Sequence, residues 1–219
     1  MFEGKIMEFK TFYFNPLREC TYLAWDDTKE CVIIDPGNYG PRELQRMVDF
    51  VSERALKPVK ILLTHGHFDH VLGLQDVART WKLDAWMHPA DQSQLKSSGA
   101  WCAQLGLDFH PFTGQFHDLA DGDQIHFGHS VLKVLATPGH TQGGVCFLNE
   151  EDGILFSGDT LFAGSIGRTD HIGGNYDQLI DSLVRKILPL DGNITVLPGH
   201  GPGTSIGYER ATNPFLQEA

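Results

Sequence analysis

Cysteine is scarce in this chain: Cys20, Cys31, Cys102 and Cys146 are spread over 219 residues without paired spacing. A disulfide framework or a cysteine-based zinc ribbon needs such spacing, so free thiols in a reducing cytoplasm are expected. Basic residues are also few. Lys and Arg number 17 against 28 Asp and Glu, the net charge is -11, and no three cations are consecutive. Nucleic-acid binding requires a basic patch, so that partner is excluded. No stretch approaches the roughly 20 apolar residues of a membrane helix. The start Met1-Phe2-Glu3-Gly4-Lys5 lacks the basic and apolar regions of a secretory signal, so a cytoplasmic protein with no membrane contact is expected. Ser157-Gly158 is not part of a G-x-S-x-G elbow, which leaves serine hydrolysis unsupported. No low-complexity linker divides the chain, and one domain over residues 1–219 is expected, as a monomer or small homo-oligomer.

What the chain does have is alternating strand and helix signals. Lys10-Thr11-Phe12-Tyr13-Phe14, Tyr22-Leu23-Ala24-Trp25 and Cys31-Val32-Ile33-Ile34 read as strands, each stopped by a turn. Leu44, Met47, Val48 and Val51 then form one helical face, with Pro41 in the first turn. A strand over 59–63 follows, then a helix carrying Leu74, Val77, Ala78 and Trp81, then a short strand Ala85-Trp86-Met87. Residues 89–118 read as a short helix plus a covering loop, because Gly99, Gly106, Pro111 and Gly114 interrupt any period. In that segment Trp101, Phe109, Phe112 and Phe116 are expected to fill core, cover a site or form an interface. Residues 124–157 read as strands with turns at Gly128-His129, Gly143-Gly144 and Asp152-Gly153. A last helix spans about 175–188, with Leu179, Leu183, Val184 and Ile187 as its buried stripe.

Ligand-type residues gather beyond four apolar runs. Ile61-Leu62-Leu63 leads into Thr64-His65-Gly66-His67-Phe68-Asp69-His70. Val134-Leu135-Ala136 precedes Pro138-Gly139-His140, Ile154-Leu155-Phe156 precedes Ser157-Gly158-Asp159, and Ile194-Thr195-Val196-Leu197 precedes Pro198-Gly199-His200. A strand commits its own polar groups to the ladder, so ligands are best carried on the turn just past it. His65 and His67, two apart, share one side of an extended chain, and Asp69 and His70 fall on the next turn. A lone histidine more often caps a turn or sits in a core, and a lone Asp159 would simply start a turn. Five histidines and two carboxylates at four strand ends point instead to two divalent metal ions, zinc foremost, with iron or manganese as alternatives. His88, His110, His117, His126, His129 and His171 lack this setting and are expected in loops or at the surface.

The motifs T-H-G-H-F-D-H, P-G-H, S-G-D-T-L-F and P-G-H resemble those of the metallo-β-lactamase fold hydrolases, and within them the glyoxalase II branch. The resemblance spans almost the whole chain. It implies an α/β fold, an αββα sandwich of two mixed β-sheets flanked by helices, with the site at one sheet edge. It also implies that His65, His67 and His140 bind one ion, that Asp69, His70 and His200 bind the other, and that Asp159 bridges them. Such ions would share a hydroxide for attack on a carbonyl and steady the resulting oxyanion. Asp69 would orient the attacking oxygen, which makes it the candidate catalytic residue.

Gly158-Asp159-Thr160-Leu161-Phe162 followed by Gly167-Arg168 resembles the glyoxalase II stretch that supplies a basic contact to glutathione, so Arg168 is the candidate substrate-binding residue. Its alternative is an ordinary pairing with Asp170. Only 19 residues follow His200. Full-length glyoxalase II carries a C-terminal helical domain there, so this ending resembles the short bacterial homologues. The expected function is a metal-dependent hydrolase of a small-molecule acyl thioester, hydroxyacylglutathione first. The alternatives are a mono-iron persulfide dioxygenase, a lactonase, and a non-catalytic metal-binding module, which would need a closed coordination shell. Cleavage of β-lactams fits less well, because the lactamases of this fold generally lack the bridging carboxylate that Asp159 resembles.

Overall fold

The computed structural model describes residues 7–217, so the reading of Met1 to Lys5 lies outside them. Among the described residues the main strands form two six-stranded sheets. The first holds β1 (Glu8–Phe14), β2 (Glu19–Trp25), β3 (Glu30–Ile34), β4 (Lys57–Leu62), β5 (Ala85–Met87) and β6 (Phe116–Asp118), in that spatial order. It is antiparallel from β1 to β3 and parallel from β3 to β6. The second holds β7 (Gln124–Phe127), β8 (Ser130–Ala136), β9 (Val145–Asn149) and β10 (Ile154–Gly158). After the small hairpin β11 (Leu161–Phe162) and β12 (Ser165–Ile166), it is completed by β13 (Thr195–Pro198) and β14 (Thr204–Ser205). Its order is β14-β13-β10-β9-β8-β7, and β10 and β13 are its parallel pair.

Alternation along the strands separates the layers. In β2, where every residue is buried, Tyr22 and Ala24 face the second sheet together with Val32, Ile34 and Leu62. Across that interface they meet Phe127, Val134, Phe147 and Phe156. Leu23, Trp25, Cys31 and Ile33 point the other way, onto helices. A strand buried on both faces shows an unbroken apolar run, and period-2 geometry divides that run between two cores. Helices α1 (Gly40–Glu53), α2 (Phe68–Val71), α3 (Leu74–Trp81) and α4 (Gln92–Leu105) follow on the side of the first sheet. Their buried residues include Met47, Val51, Leu74 and Val77. Helices α5 (Tyr176–Ser182) and α6 (Ile206–Thr212) cover the second sheet through Leu179 and Ile206. The result is the αββα sandwich that the sequence resemblance implies.

Two local readings need correction. Residues 92–105 form a 14-residue helix rather than a short one. Its buried positions are Ser98 and Cys102, so it has no apolar stripe to read, and Gly106, at φ 69°, ends it. In the last long helix Leu179, Leu183 and Ile187 are buried, but Val184 is 37% exposed. Residues Leu183–Ile187 form a wider, π-type turn, which departs from the 3.6-residue spacing that would have placed Val184 inward. Helix α6, beyond His200, is an additional element, capped at its start by Ser205, which accepts from Tyr208 N–H, and closed at Asn213-Pro214. In the covering segment Phe109, Phe112 and Phe116 pack on the outer core, whereas Trp101 does not. All four cysteines are buried and free, and no helix among the described residues is long and apolar enough to cross a membrane.

Candidate metal centre

Four strands deliver the candidate ligands to one edge of the sandwich, and local bonds tie the two sheets together there. Val145 N–H donates to Thr64 O at 2.9 Å, Cys20 N–H to Gly199 O at 2.8 Å, and Tyr22 Oη to Pro198 O at 2.6 Å. The parallel β10–β13 pairing continues past the strands as Gly199 N–H donating to Gly158 O at 2.8 Å, which sets Asp159 beside His200. His65 and His67 leave β4, and α2 turns Asp69 and His70 back toward them.

All seven candidates come together. The rings of His65 and His67 are 4.8 Å apart between centroids, those of His65 and His140 5.0 Å, and those of His67 and His140 4.6 Å. One nitrogen each of His65, His67 and His140 falls within 4.8 Å of the others, and the same holds for donor atoms of Asp69, His70 and His200. Asp159 lies between the two triads. Its Oδ1 is 3.4 Å from His70 Nε2, and its Oδ2 is 3.5 Å from His140 Nε2 and 4.0 Å from His200 Nε2. Arg168 is placed differently: its guanidinium, 77% exposed, forks onto Asp170 at 2.9 and 3.3 Å. Its contribution at the centre is the main-chain carbonyl, which accepts from His140 Nδ1 at 2.7 Å.

Behind the triads, hydrogen bonds fix which ring nitrogen faces inward. His70 Nδ1 meets Asp35 Oδ2 at 3.0 Å, and Thr64 Oγ1 donates to the same oxygen. Thr64 Oγ1 also lies 3.0 Å from His65 Nδ1, so Asp35 orients two imidazoles, one of them through Thr64. On the other side the fully buried Asp91, at the start of α4, accepts from Gly66 N–H, Gly143 N–H and Thr141 Oγ1. It thereby clamps the His65–His67 turn to the loop that carries His140.

Burial together with neighbouring imidazoles pushes His65 and His140 below the usual histidine range and His67 down to about 3. Burial would raise Asp69 and Asp159, but the adjacent His70 outweighs it and holds both carboxyls low. Burial likewise opposes the charge on His70, and Asp159 and Asp69 overcome it, raising that imidazole. Neutral His65, His67 and His140 beside ionised Asp69 and Asp159 are in the forms that bind metal, whereas His70 would give up its proton to an ion. Among the described residues six buried side-chain polar atoms have no hydrogen-bond partner: Glu19 Oε1, both amide atoms of Asn38, and, on the candidate ligands, His65 Nε2, His70 Nε2 and Asp159 Oδ1. Such orphans are costly, and the three on candidate ligands, converging between the two triads, fit a pair of cations.

Several neighbours escaped the sequence reading. His171 approaches His67 to 4.9 Å and His140 to 5.1 Å between ring centroids and lines the cavity beside them, although no strand precedes it. Asp35 was legible only as part of an Asp-Pro-Gly turn, and nothing local marked Asp91 or the fully buried Glu19 near His70. A further group, Asp26, Asp27 and His129, lies where the β2–β3 and β7–β8 turns meet. There Asp26 is already saturated by donors from Thr28, His129 and Ser130.

The family profile described as the metallo-beta-lactamase superfamily matches residues 17–200. An uncharacterized protein of Mycobacterium tuberculosis is 41% identical over 209 residues, covering 90% of this chain and 92% of the relative. Hydroxyacylglutathione hydrolase GloC of Haemophilus influenzae is 36% identical over 196 residues, 89% of this chain and 91% of its own. Among solved structures, BLEG-1 B3 metallo-beta-lactamase superposes with a TM-score of 0.85 at 35% identity, over 96% of this chain and 100% of that one. The di-iron-bound form of TTHA1623 gives 0.85 at 36% identity, over 94% and 100%.

Proposed function

The chain belongs to the metallo-beta-lactamase superfamily, and from that premise we propose that it hydrolyses acyl thioesters, with hydroxyacylglutathione as the reference substrate. The observation that carries this reading is the double triad with Asp159 between its halves. In it His65, His67 and His140 would hold one divalent ion, and Asp69, His70 and His200 the other. When bound, such ions would acidify water and polarise the carbonyl under attack. The kinship with a di-iron protein leaves zinc, iron and manganese all consistent with this donor set.

The chain's own groups would do the rest. Asp69, whose Oδ2 accepts from His200 Nε2 at 3.1 Å, would orient the attacking water and receive its proton. Asp35 and the Arg168 carbonyl would keep His70 and His140 turned inward. Hydrolysis breaks the C–S bond; the water oxygen ends in the product carboxylate, and the thiolate takes up a proton. Thioester specificity draws on the likeness to GloC and on the Gly158-to-Phe162 stretch. A cytoplasmic setting belongs to the same proposal, and for hydroxyacylglutathione itself Arg168 would be the contact to a substrate carboxylate, which requires its guanidinium to leave Asp170.

The name of BLEG-1 supports β-lactam cleavage as a second reading, at comparable identity. Metal analysis and parallel assays separate the two. We expect about two ions per chain, turnover of lactoylglutathione that chelator abolishes, and no comparable rate on a β-lactam. Asp159→Ala should lower thioester turnover by about 100-fold or more and release much of one ion. One firmly bound iron, no thioester turnover and oxygen uptake with glutathione persulfide would favour the dioxygenase alternative.

A further inference from the structure

Beside the first triad opens a cavity of about 350 Å³. Its wall and rim carry Leu17 from the β1–β2 turn, Phe68 from α2, Trp101 from α4 and Ile172 from the loop before α5. Leu17, Trp101 and Ile172 are 49%, 53% and 91% exposed. A single exposed apolar residue needs no explanation, but several gathered around one cavity at a candidate active site do.

Ile172 is not exposed by accident of a loose loop. The Gln94 amide of α4 donates to Ile172 O at 3.0 Å, and the Gln142 amide donates to Gly173 O at 2.8 Å. The loop is thus pinned from both sides with its isoleucine at the rim of the cavity that Trp101 also lines.

The electrostatics of the cavity point the same way. Arg168 is the one lysine or arginine on its wall, and that guanidinium is already forked onto Asp170. Arg18 faces a separate hollow beside His200, beyond Leu17, and stacks over the Tyr13 ring at 5.4 Å. A thiol bearing two carboxylates would find little to neutralise it here, and a chain of net charge -11 adds to the repulsion. An uncharged hydrocarbon would cover Leu17, Phe68, Trp101 and Ile172 and release the water over them.

We infer that this rim holds the part of the substrate remote from the reacting carbonyl, and that this part is an uncharged alkyl or aryl group rather than an anionic peptide. The inference rests on the thioesterase reading but replaces its reference substrate, hydroxyacylglutathione, with thioesters bearing an apolar substituent on the acyl or the thiol side.

Two measurements on the metal-loaded full chain test it. The first is equilibrium binding of non-hydrolysable analogues. Thioethers of neutral N-acetylcysteamine with methyl, hexyl or benzyl groups probe the thiol side, and ketone analogues with short or long acyl chains probe the acyl side. In at least one series the long or aryl member should bind about tenfold tighter than the short one. It should also bind tighter than the corresponding glutathione thioether. Trp101→Ala and Ile172→Ser, both at exposed positions, should each remove most of that preference while metal content stays at the wild-type level. Equal affinity for short and long members in both series, tighter binding of the glutathione compound, or a preference that survives in both variants would overturn the inference. The second measurement is hydrolysis of the matching thioesters. A chain-length preference in binding without turnover of any thioester sinks the thioesterase reading and leaves the apolar site. Turnover indifferent to chain length, with no trend in binding, does the reverse.

Discussion

At the scale of single residues, carboxylates do two kinds of work in this molecule. Asp35 accepts from Thr64 N–H, Thr64 Oγ1 and His70 Nδ1 while holding a left-handed backbone, φ 50°. Asparagine tolerates that conformation but offers one acceptor oxygen in place of two. Asp35→Asn should therefore keep the far-ultraviolet spectrum and weaken metal affinity by about 10- to 100-fold, measured by competition with a chromophoric chelator. Asp26, at the opposite end of β2, is structural: its two oxygens collect donors from the β2–β3 turn and from the β7–β8 turn, joining the sheets away from the centre. Burial alone would raise its pKa, but the hydrogen bonds from Thr28, His129 and Ser130 outweigh it and hold the carboxyl low. The unfolded chain then binds its proton first as pH falls. The stability Asp26 contributes is complete above the ordinary aspartate range near 4 and drains away as pH drops through the lowered folded value. Asp26→Asn should cost about 2 kcal/mol at neutral pH and flatten the acid side of a stability-against-pH curve. An unchanged acid limb in urea titrations would argue against this role.

At the scale of elements, the strand ends position the site because the turns beyond them are small. Gly139 has φ 139°, and a Cβ there would stand 2.3 Å from the backbone of Leu179, so only glycine lets the His140 loop lie against α5. Gly199 needs space rather than an unusual φ: a Cβ would fall 2.3 Å from Asp159 Oδ1 and 2.6 Å from His70 Cε1. Gly199→Ala should thus depress metal content and turnover far more than melting temperature, since the clash displaces candidate ligands and not core. Metal analysis beside calorimetry checks this. Both turns were visible in the sequence as Pro-Gly-His, but the reason for their glycines was not, because Leu179 and Asp159 are distant in the chain. Helix α4 was legible only in part. Its inward face is built of Ser98 and Cys102, with Asp91 leading into it, and such a helix leaves no apolar rhythm to detect.

At the scale of the whole molecule, the candidate centre sits on the seam between two sheets, so a metal bound there would couple to sheet association. Binding only to the folded state stabilises by mass action, about 2.7 kcal/mol when free metal is 100 times Kd. For a chain of this size that corresponds to a rise in Tm of roughly 5–10 °C. Stripping the protein with chelator should lower Tm by that much, and restoring zinc, iron or manganese should raise it in proportion to concentration. A Tm indifferent to metal would mean that the triads bind none. By itself the sequence determined the strand and helix order, the free cysteines and the seven candidate ligands, because each of these is written in local period, turn chemistry or motif spacing. The division of the candidates into two triads around Asp159 was implied by the family motifs; only the tertiary structure decided that Asp35 and Asp91 hold these side chains in place and that His171 and Ile172 stand at the cavity mouth. Those relations join residues dozens of positions apart across two sheets, and local periodicity says nothing about a neighbour that arrives from another layer of the fold.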